Sequence, residues 1–315
     1  MSRIVVTGGA GFIGSHLCEA LVARGDEVVC VDDLSSGNEE NLRGLTSAGG
    51  FTFVESDVSE GLEVSGHVDA VAHLASPASP PDYLRRPLET LAAGSRGTEA
   101  ALRLAGERGA RFLLASTSEV YGDALEHPQT ESYWGNVNPV GPRSVYDEAK
   151  RFSEALAMAY HRARGVNVGI VRIFNTYGPR LREGDGRVVS NFVTQALAGQ
   201  PLTIYGDGSQ TRSFCYVDDL VEPLVAMLDV DATGPINLGN PVEHTINELA
   251  VLVLEITGSA SQIVHHPLPV DDPVRRCPEI SLARKTLGWQ PTTDLPTGLV
   301  STSEWFQASA RTALS

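Results

Sequence analysis

Seven residues constrain this chain more than any others. Gly8-Gly9-Ala10-Gly11-Phe12-Ile13-Gly14 stand between a β-branched run at 4–7 and a helical stretch at 14–24 that Gly25 ends. Glycine lets the backbone turn tightly and come close to a ligand. The N–H groups that open the following helix then face negative charge. A glycine pattern alone marks only a tight βα turn, but between a strand and a helix it points to a dinucleotide. An acid at the end of the second strand adds weight: Asp32 follows Gly14 by 18 residues, suited to the adenosine ribose hydroxyls. After it no Lys or Arg occurs before Arg43, so a 2′-phosphate lacks a partner and NAD is expected rather than NADP. Asp33 is open to sharing the ribose or to being a solvated turn residue. Asp57-Val58, after the third strand, is equally open to reaching the adenine edge or to forming a turn.

The rest of the first half alternates short apolar runs with helical stretches. Strands are expected at 4–7, 27–31, 51–55, 70–74, 111–116 and 167–173, and helices at 14–24, about 90–108 and 146–164. Apolar runs separated by helices predict a parallel sheet covered on both faces, an α/β Rossmann-type doubly wound fold. The second half is broken by Gly178-Pro179, Gly184-Asp185-Gly186, Gly206-Asp207-Gly208 and Gly239-Asn240-Pro241, with helices expected at 188–198, 218–228 and 246–256. Residues 1–178 plus about 210–240 are assigned to the Rossmann domain. About 179–209 plus 241–315 are assigned to a smaller C-terminal lobe facing the sheet's carboxyl edge.

Composition narrows the function classes. The formal charge is −15, which argues against general nucleic-acid or anionic-membrane binding. Cys18, Cys30, Cys215 and Cys277 are far apart and form no zinc spacing, so reduced, buried thiols and no metal are expected. Met1-Ser2-Arg3 runs straight into strand-like residues and no apolar run is long enough to span a bilayer. A soluble cytoplasmic protein is expected. His73, His127, His265 and His266 have no acid and nucleophile beside them and are read as surface or structural residues.

Tyr146-Asp147-Glu148-Ala149-Lys150 puts a Tyr and a Lys four apart, on one helix face. A nearby ammonium favours the phenolate, so Tyr146 is expected to have a lowered pKa and to act as a base near neutral pH. Thr117-Ser118-Glu119 falls at the carboxyl end of a strand, where a hydroxyl reaches both the Tyr and a substrate hydroxyl. The glycine loop, the strand end and the Tyr/Lys helix together are far more specific than any one of them.

With these in place, long segments become recognisable. They include 73–80 (His-Leu-Ala-Ser-Pro-Ala-Ser-Pro), 116–122 (Ser-Thr-Ser-Glu-Val-Tyr-Gly), 133–139 (Tyr-Trp-Gly-Asn-Val-Asn-Pro), 172–180, 185–192, 210–214 and 237–241. The chain resembles the extended short-chain dehydrogenase/reductase family of nucleotide-sugar enzymes nearly end to end. Its Thr-Ser-Glu, Tyr-Trp-Gly-Asn and Asp271-Asp272-Pro273…Arg275-Arg276 elements resemble the UDP-glucuronate decarboxylase branch.

The resemblance implies that NAD stays bound while a sugar C4 hydroxyl is oxidised, carbon dioxide leaves and the ketone is reduced, giving UDP-xylose. It implies Tyr146, Lys150, Thr117, Glu119 and Arg276 as the catalytic set. Cofactor contacts would come from Gly8, Gly11, Phe12, Ile13, Gly14, Asp32, Asp33, Asp57, Val58, Leu74, Ser76 and Thr176, with Tyr146 and Lys150. Substrate contacts would come from Ser118, Glu119, Asn175, Arg187, Val189, Tyr205, Arg212 and Arg276. Arg276 would take the sugar carboxylate or β-phosphate, Arg212 a phosphate, and Tyr205 the uracil. Plain alternatives stand beside these: a buried structural Glu119, a solvated arginine pair, a Tyr205 that only packs the lobe. A homodimer is implied as well.

Three positions depart from the family pattern. Ala92-Ala93-Gly94 replaces Lys-Thr-Asn, with Arg96 open to compensating from the next turn. Ala149 replaces a frequent Gly, and Cys277 a common Lys. Two rival functions remain. A 4-epimerase or 4,6-dehydratase shares the C4 oxidation, but Ser118-Glu119 argues against both. A noncatalytic NAD- or UDP-sugar-binding protein has no need of both Tyr146 and Lys150.

Overall fold

The computed structural model describes residues 1–268 and 275–313. In chain order the first elements are β1 (Arg3–Thr7), α1 (Phe12–Ala23), β2 (Glu27–Asp32), β3 (Phe51–Glu55), β4 (Ala70–His73), α2 (Pro80–Arg85), α3 (Pro87–Ala92) and α4 (Thr98–Arg108). Next come β5 (Arg111–Thr117), α5 (Ser144–Arg164), β6 (Val168–Ile173), β7 (Thr176–Tyr177), α6 (Val188–Leu197), β8 (Leu202–Tyr205), β9 (Thr211–Ser213), β10 (Cys215–Tyr216) and α7 (Val217–Asp229). The last are β11 (Ile236–Leu238), β12 (Glu243–Thr245), α8 (Ile246–Thr257), β13 (Ile263–His266), β14 (Arg275–Arg276), α9 (Ser281–Leu287) and α10 (Leu295–Ala313).

Seven strands pair in the order β11-β6-β5-β4-β1-β2-β3, all parallel. The expected doubly wound sheet is therefore present. Alternation along β1 shows why both faces are covered: Ile4 and Val6 pack against α1 and α7, while Val5 packs against α4 and α5. Such strands read as unbroken apolar runs because neither face meets water. The chain moves outward from β1 through β2 to β3, then returns to lay β4 on the other side of β1. The carboxyl ends of β1 and β4 thus flank the point where strand order reverses, the place where open α/β sheets bind ligands.

A second core gathers Val189, Phe192 and Val193 of α6, Leu249 and Val253 of α8, and Leu299 and Phe306 of α10, with the β8/β13 pair. Its boundary differs from the expected division: Tyr177 and Phe214 belong to this second core, and β9 pairs with β12 and β14. Ile280, Ala283 and Trp289 pack in the core under the large sheet, so after β14 the chain returns to that sheet before α10 crosses back. The helix expected at 90–108 is also wound differently. Residues 93–97 form a π-helical turn between α3 and α4. Gly94 sits there so close to α5 that a Cβ on it would lie 2.7 Å from the Cβ of Ala149.

Candidate active site

A cleft of about 810 Å³ opens above the carboxyl ends of the central strands. The glycine loop forms its floor. Gly8 has φ +72°, and a Cβ there would lie 2.7 Å from the Ala75 nitrogen. A Cβ on Gly14 would lie 2.1 Å from the Gly8 carbonyl oxygen. Gly11 caps α1 without a side-chain bond, which leaves the helix start to offer its N–H groups to an anion. Gly8, Gly11, Phe12, Ile13 and Gly14 all line the cleft.

Further along, Asp32 and Asp33 line it together with Asp57, Val58, Leu74, Ser76 and Thr176. The Asp32 carboxylate accepts the Ala10 N–H at 3.0 Å and the Leu34 N–H at 2.9 Å, which ties loop to strand end. Each oxygen keeps a second lone pair for a ribose hydroxyl. Burial pushes its pKa up against those bonds. A glycine cradle that no Cβ would fit, a bare helix start and a fixed acid together suit a dinucleotide.

Behind the cleft, His73 is wholly buried between the hydroxyls of Thr7 (2.8 Å) and Thr98 (3.2 Å), and burial takes its pKa down to about 3. It is a structural residue that joins β1, β4 and α4.

Tyr146 and Lys150 project from the first turns of α5 and are 6% and 4% exposed. Lys150 donates to the Ala115 carbonyl at 2.9 Å, and burial brings its ammonium down to about 8. Its nitrogen lies 5.9 Å from the centre of the Tyr146 ring. The expected lowering of the Tyr146 pKa is not found. Burial, and then the negative charge of Glu119, push the phenol up to about 12, while Arg187 and a hydrogen bond with Thr117 pull the other way. Spacing brings the ammonium near, but desolvation of the phenolate outweighs it. The ring stacks on Tyr83, 5.3 Å away and nearly parallel.

Thr117 ends β5 and accepts the Glu119 N–H at 3.2 Å, capping a short turn that holds Ser118 and Glu119. Glu119 is gripped by two arginines. Its Oε1 accepts from Arg276, and its Oε2 accepts from Arg276 at 3.0 Å and from Arg143 at 2.8 Å. Burial alone would raise this carboxyl, but the charges and bonds of Arg276 and Arg143 more than offset it and hold it at about 2. Asp147 stands beside this group, 6% exposed, with no partner for its Oδ1. Burial and the Glu119 charge lift it to about 7, against the pull of Arg143 and Arg276.

Ser118, Asn175 and Arg187 line the cleft, with Arg187 3.3 Å from Asp185. Four expected substrate contacts lie outside its wall among the described residues. Val189 is buried in the second core. Arg212 is 8% exposed and donates to the Thr211 carbonyl at 2.9 Å. Arg276 is 4% exposed with its fork spent on Glu119. Tyr205 is 47% exposed, because alternation along β8 turns Leu202 and Ile204 inward. Arg96 does not compensate for the altered segment before it: it is exposed and 3.7 Å from Glu60. Cys277 is buried and its thiol donates to the Pro241 carbonyl. Asp271, Asp272, Pro273 and Val274 lie outside the described residues.

Sequence reasoning missed Arg143, Asp147 and Tyr83 around the Tyr/Glu pair, and Trp305 and Ser309 of α10 in the cleft wall. For Arg143 a local signal existed: a cation at the start of a helix stands against the helix dipole and needs a counter-ion. For Trp305 there was none. Among the described residues no cluster suits a metal ion, and no helix is long and apolar enough to cross a membrane.

The profile of the NAD dependent epimerase/dehydratase family matches residues 4–239. This chain belongs to that family. It is 55% identical over 297 residues to UDP-glucuronic acid decarboxylase 1 of Arabidopsis thaliana, covering 94% of this chain and 68% of that protein. It is 50% identical over 304 residues to UDP-glucuronic acid decarboxylase 1 of Danio rerio, covering 96% and 72%. Among solved family structures, the UDP-glucuronic acid 4-epimerase of Bacillus cereus, in complex with UDP-glucuronic acid and NAD, superposes with a TM-score of 0.86 at 29% identity, covering 98% and 99%. The dTDP-glucose 4,6-dehydratase DesIV of Streptomyces venezuelae, with NAD bound, gives 0.89 at 30%, covering 98% of each chain.

Proposed function

We propose that this chain converts UDP-glucuronate to UDP-xylose and carbon dioxide, with NAD held throughout. The pair of Tyr146 with an arginine-clamped Glu119 carries this reading. Tyr/Lys chemistry serves epimerases and dehydratases equally, but an anionic Glu119 behind Ser118 does not supply the acid pair that water elimination needs. Relatives 50–55% identical that are named for the decarboxylation support it. NAD would lie on the glycine loop, with Asp32 at its ribose, and supplies the acceptor and later the donor of one hydride at the sugar C4.

The positive charge of bound NAD would favour loss of the phenolic proton to solvent, and as the phenolate Tyr146 takes the proton of the C4 hydroxyl, which Thr117 and Ser118 orient. The 4-ketone makes the C5 carboxylate a β-keto acid. When its C5–C6 bond breaks, the electron pair moves onto the ketone oxygen, where Tyr146 and Thr117 stabilise the enolate by hydrogen bonding. Solvent then supplies the C5 proton, and Tyr146 returns its proton to the C4 oxygen on reduction. Lys150 holds the Tyr146 side of the site through Ala115. Asn175 and Arg187 face the sugar nucleotide, while Val189, Tyr205 and Arg212 support the lobe from behind.

Apart from Tyr177, β9 and Phe214, residues 1–178 with about 210–240 act as the NAD-binding unit, joined by 280–289, and the α6/α8/α10 core carries the nucleotide sugar. A homodimer is supported by Leu84, Leu88 and Phe152, which leave apolar side chains exposed where α2 and α3 lie beside α5. Light scattering should show a dimer that Leu88→Glu dissociates; a monomeric parent chain overturns this part. Four free, buried thiols fit a reducing, cytoplasmic setting.

Proton NMR of UDP-glucuronate with NAD and the protein in heavy water tests the whole sequence. UDP-xylose carrying deuterium at C5, without net NADH, is expected. An epimerised uronate, or an unchanged spectrum from folded protein, overturns the reading.

A further inference from the structure

Tyr146, Lys150 and Glu154 follow one another at four-residue spacing along one face of α5. Three consecutive residues at the end of β5 meet them. Thr117 shares a hydrogen bond with Tyr146. The Ala115 carbonyl accepts from Lys150 at 2.9 Å. The Ser116 hydroxyl donates to Glu154 Oε1 at 2.6 Å. The first two contacts belong to the site already described. The third lies behind it, since neither the cleft wall nor the chemistry above uses Glu154.

Glu154 is held from β6 as well. Arg172 donates from Nε to Oε1 at 2.9 Å and from Nη2 to Oε2 at 2.7 Å. That two-pronged geometry fixes a carboxylate in its plane. The side chains are 11% (Arg172) and 14% (Glu154) exposed. Arg172 is fixed in turn. Its Nη1 donates to the Tyr121 hydroxyl at 3.0 Å, its guanidinium lies 4.8 Å from the centre of the Tyr121 ring, and Tyr121 donates to Asn237 at 2.7 Å. The result is an anion of fixed position, one helical turn from a buried ammonium.

Lys150 has use for such an anion. Burial disfavours its charged form, and the carbonyl it bonds is a dipole rather than a charge. Lys150 is faced by His73 from β4, by Tyr146 and Glu154 from its own helix, and, behind Glu154, by Arg172 from β6. Burial keeps His73 neutral. The charge of Glu154 favours the ammonium against the burial that brings it down. The ammonium then stands 5.9 Å from the centre of the Tyr146 ring, where its charge favours the phenolate.

We propose that Glu154 is a positioning residue: fixed by Ser116 and Arg172, it keeps Lys150 an ammonium beside Tyr146. The proposal rests on Tyr146 acting as the base of the reaction described above.

Lys150 and Lys285 are the two lysines of the chain. Lysine labelled with carbon-13 at Cε therefore gives two NMR signals, which Lys285→Arg assigns. The Lys150 signal is followed against pH in the NAD-loaded protein without substrate, for the parent chain, Glu154→Gln and Arg172→Gln. Both changes break the same ion pair, but only Glu154→Gln removes the anion. Its Lys150 midpoint should fall by about one pH unit or more, while the midpoint in Arg172→Gln should stay or rise. An unmoved midpoint in Glu154→Gln overturns the proposal. So does an equal fall in both variants, the mark of a pair that only braces the helix. If either single variant does not fold, the double variant Glu154→Gln/Arg172→Gln, which leaves neither charge buried without its partner, decides. A midpoint below the parent's supports the proposal, and one at or above it overturns it.

The rate should follow the ammonium. For carbon dioxide release from UDP-glucuronate, the alkaline limb of kcat in Glu154→Gln should move down with the midpoint, while KM changes by less than about three-fold. A limb that stays in place while the midpoint falls overturns the assignment of Glu154 to the reaction. A parent chain that releases no carbon dioxide strikes the decarboxylation reading, and the midpoints still decide the proposal.

Discussion

Asp147→Asn isolates the charge balance behind the site. Burial and then the Glu119 charge lift the Asp147 carboxyl from 3.8 to about 7. Its side chain is only 6% exposed, so solvent screens the effect little. In the unfolded chain the group titrates near its ordinary value. Between the two values the folded chain holds a proton that the unfolded chain has released, so stability falls as pH rises. About three pH units at about 1.4 kcal/mol each give about 4 kcal/mol of lost stability, absent below about pH 4 and complete above about pH 7. Asn does not titrate and escapes the loss. Urea unfolding of both chains, at one protein concentration and stepped in pH, should show the variant gaining about 4 kcal/mol on the parent from pH 4 to 7 and nothing further above it. A fixed offset from the amide leaves that slope intact, and Glu119, held at about 2, titrates outside the window. A difference that stays constant with pH refutes the reasoning. One that falls with pH means that Asp147 is an ion-paired carboxylate.

Tyr146→Phe keeps the ring stacked on Tyr83 but removes the proton acceptor. Turnover should drop by about 10³-fold or more while bound NAD is unchanged; lost NAD binding would mean that Tyr146 is a cofactor ligand first. Glu119→Gln should lower kcat about 10²-fold and leave a folded chain, because Asp147 loses its repulsive neighbour and ionises as the replacement counter-ion; unchanged kinetics would remove Glu119 from catalysis. Gly94→Ala forces a Cβ to 2.7 Å from that of Ala149 and should cost about 1–3 kcal/mol in thermal unfolding, with Ala149→Gly recovering part of it. Strict additivity of the two changes would show that the contact is not the cause.

What was legible in the sequence is what depends on local spacing. The glycine loop, the acid at the end of β2 and the Tyr/Lys pair each lie within one turn or one βα unit, so the chain's own geometry assembles them. Tyr205 carries a local signal too: in Leu202–Tyr205 the period of two leaves Tyr205 exposed once Leu202 and Ile204 are inside. The Tyr146 pKa was misjudged. A sequence shows a nearby Lys but not how completely α2 and Tyr83 bury the phenol.

The departures from the family pattern become intelligible only as a pair. Gly94 replaces a larger residue on the π-helical turn, and Ala149 replaces a frequent glycine on α5; in space the two face each other. One side gave up a Cβ where the other gained one, so the helix contact is kept and no new function need be assigned to either change. The arginine clamp lies at the opposite extreme. Glu119, Arg143 and Arg276 come from three elements, and Arg276 is 157 residues from its partner. No spacing rule links them. What links them is charge: a buried carboxylate needs cations, and a cation at a helix start needs a carboxylate.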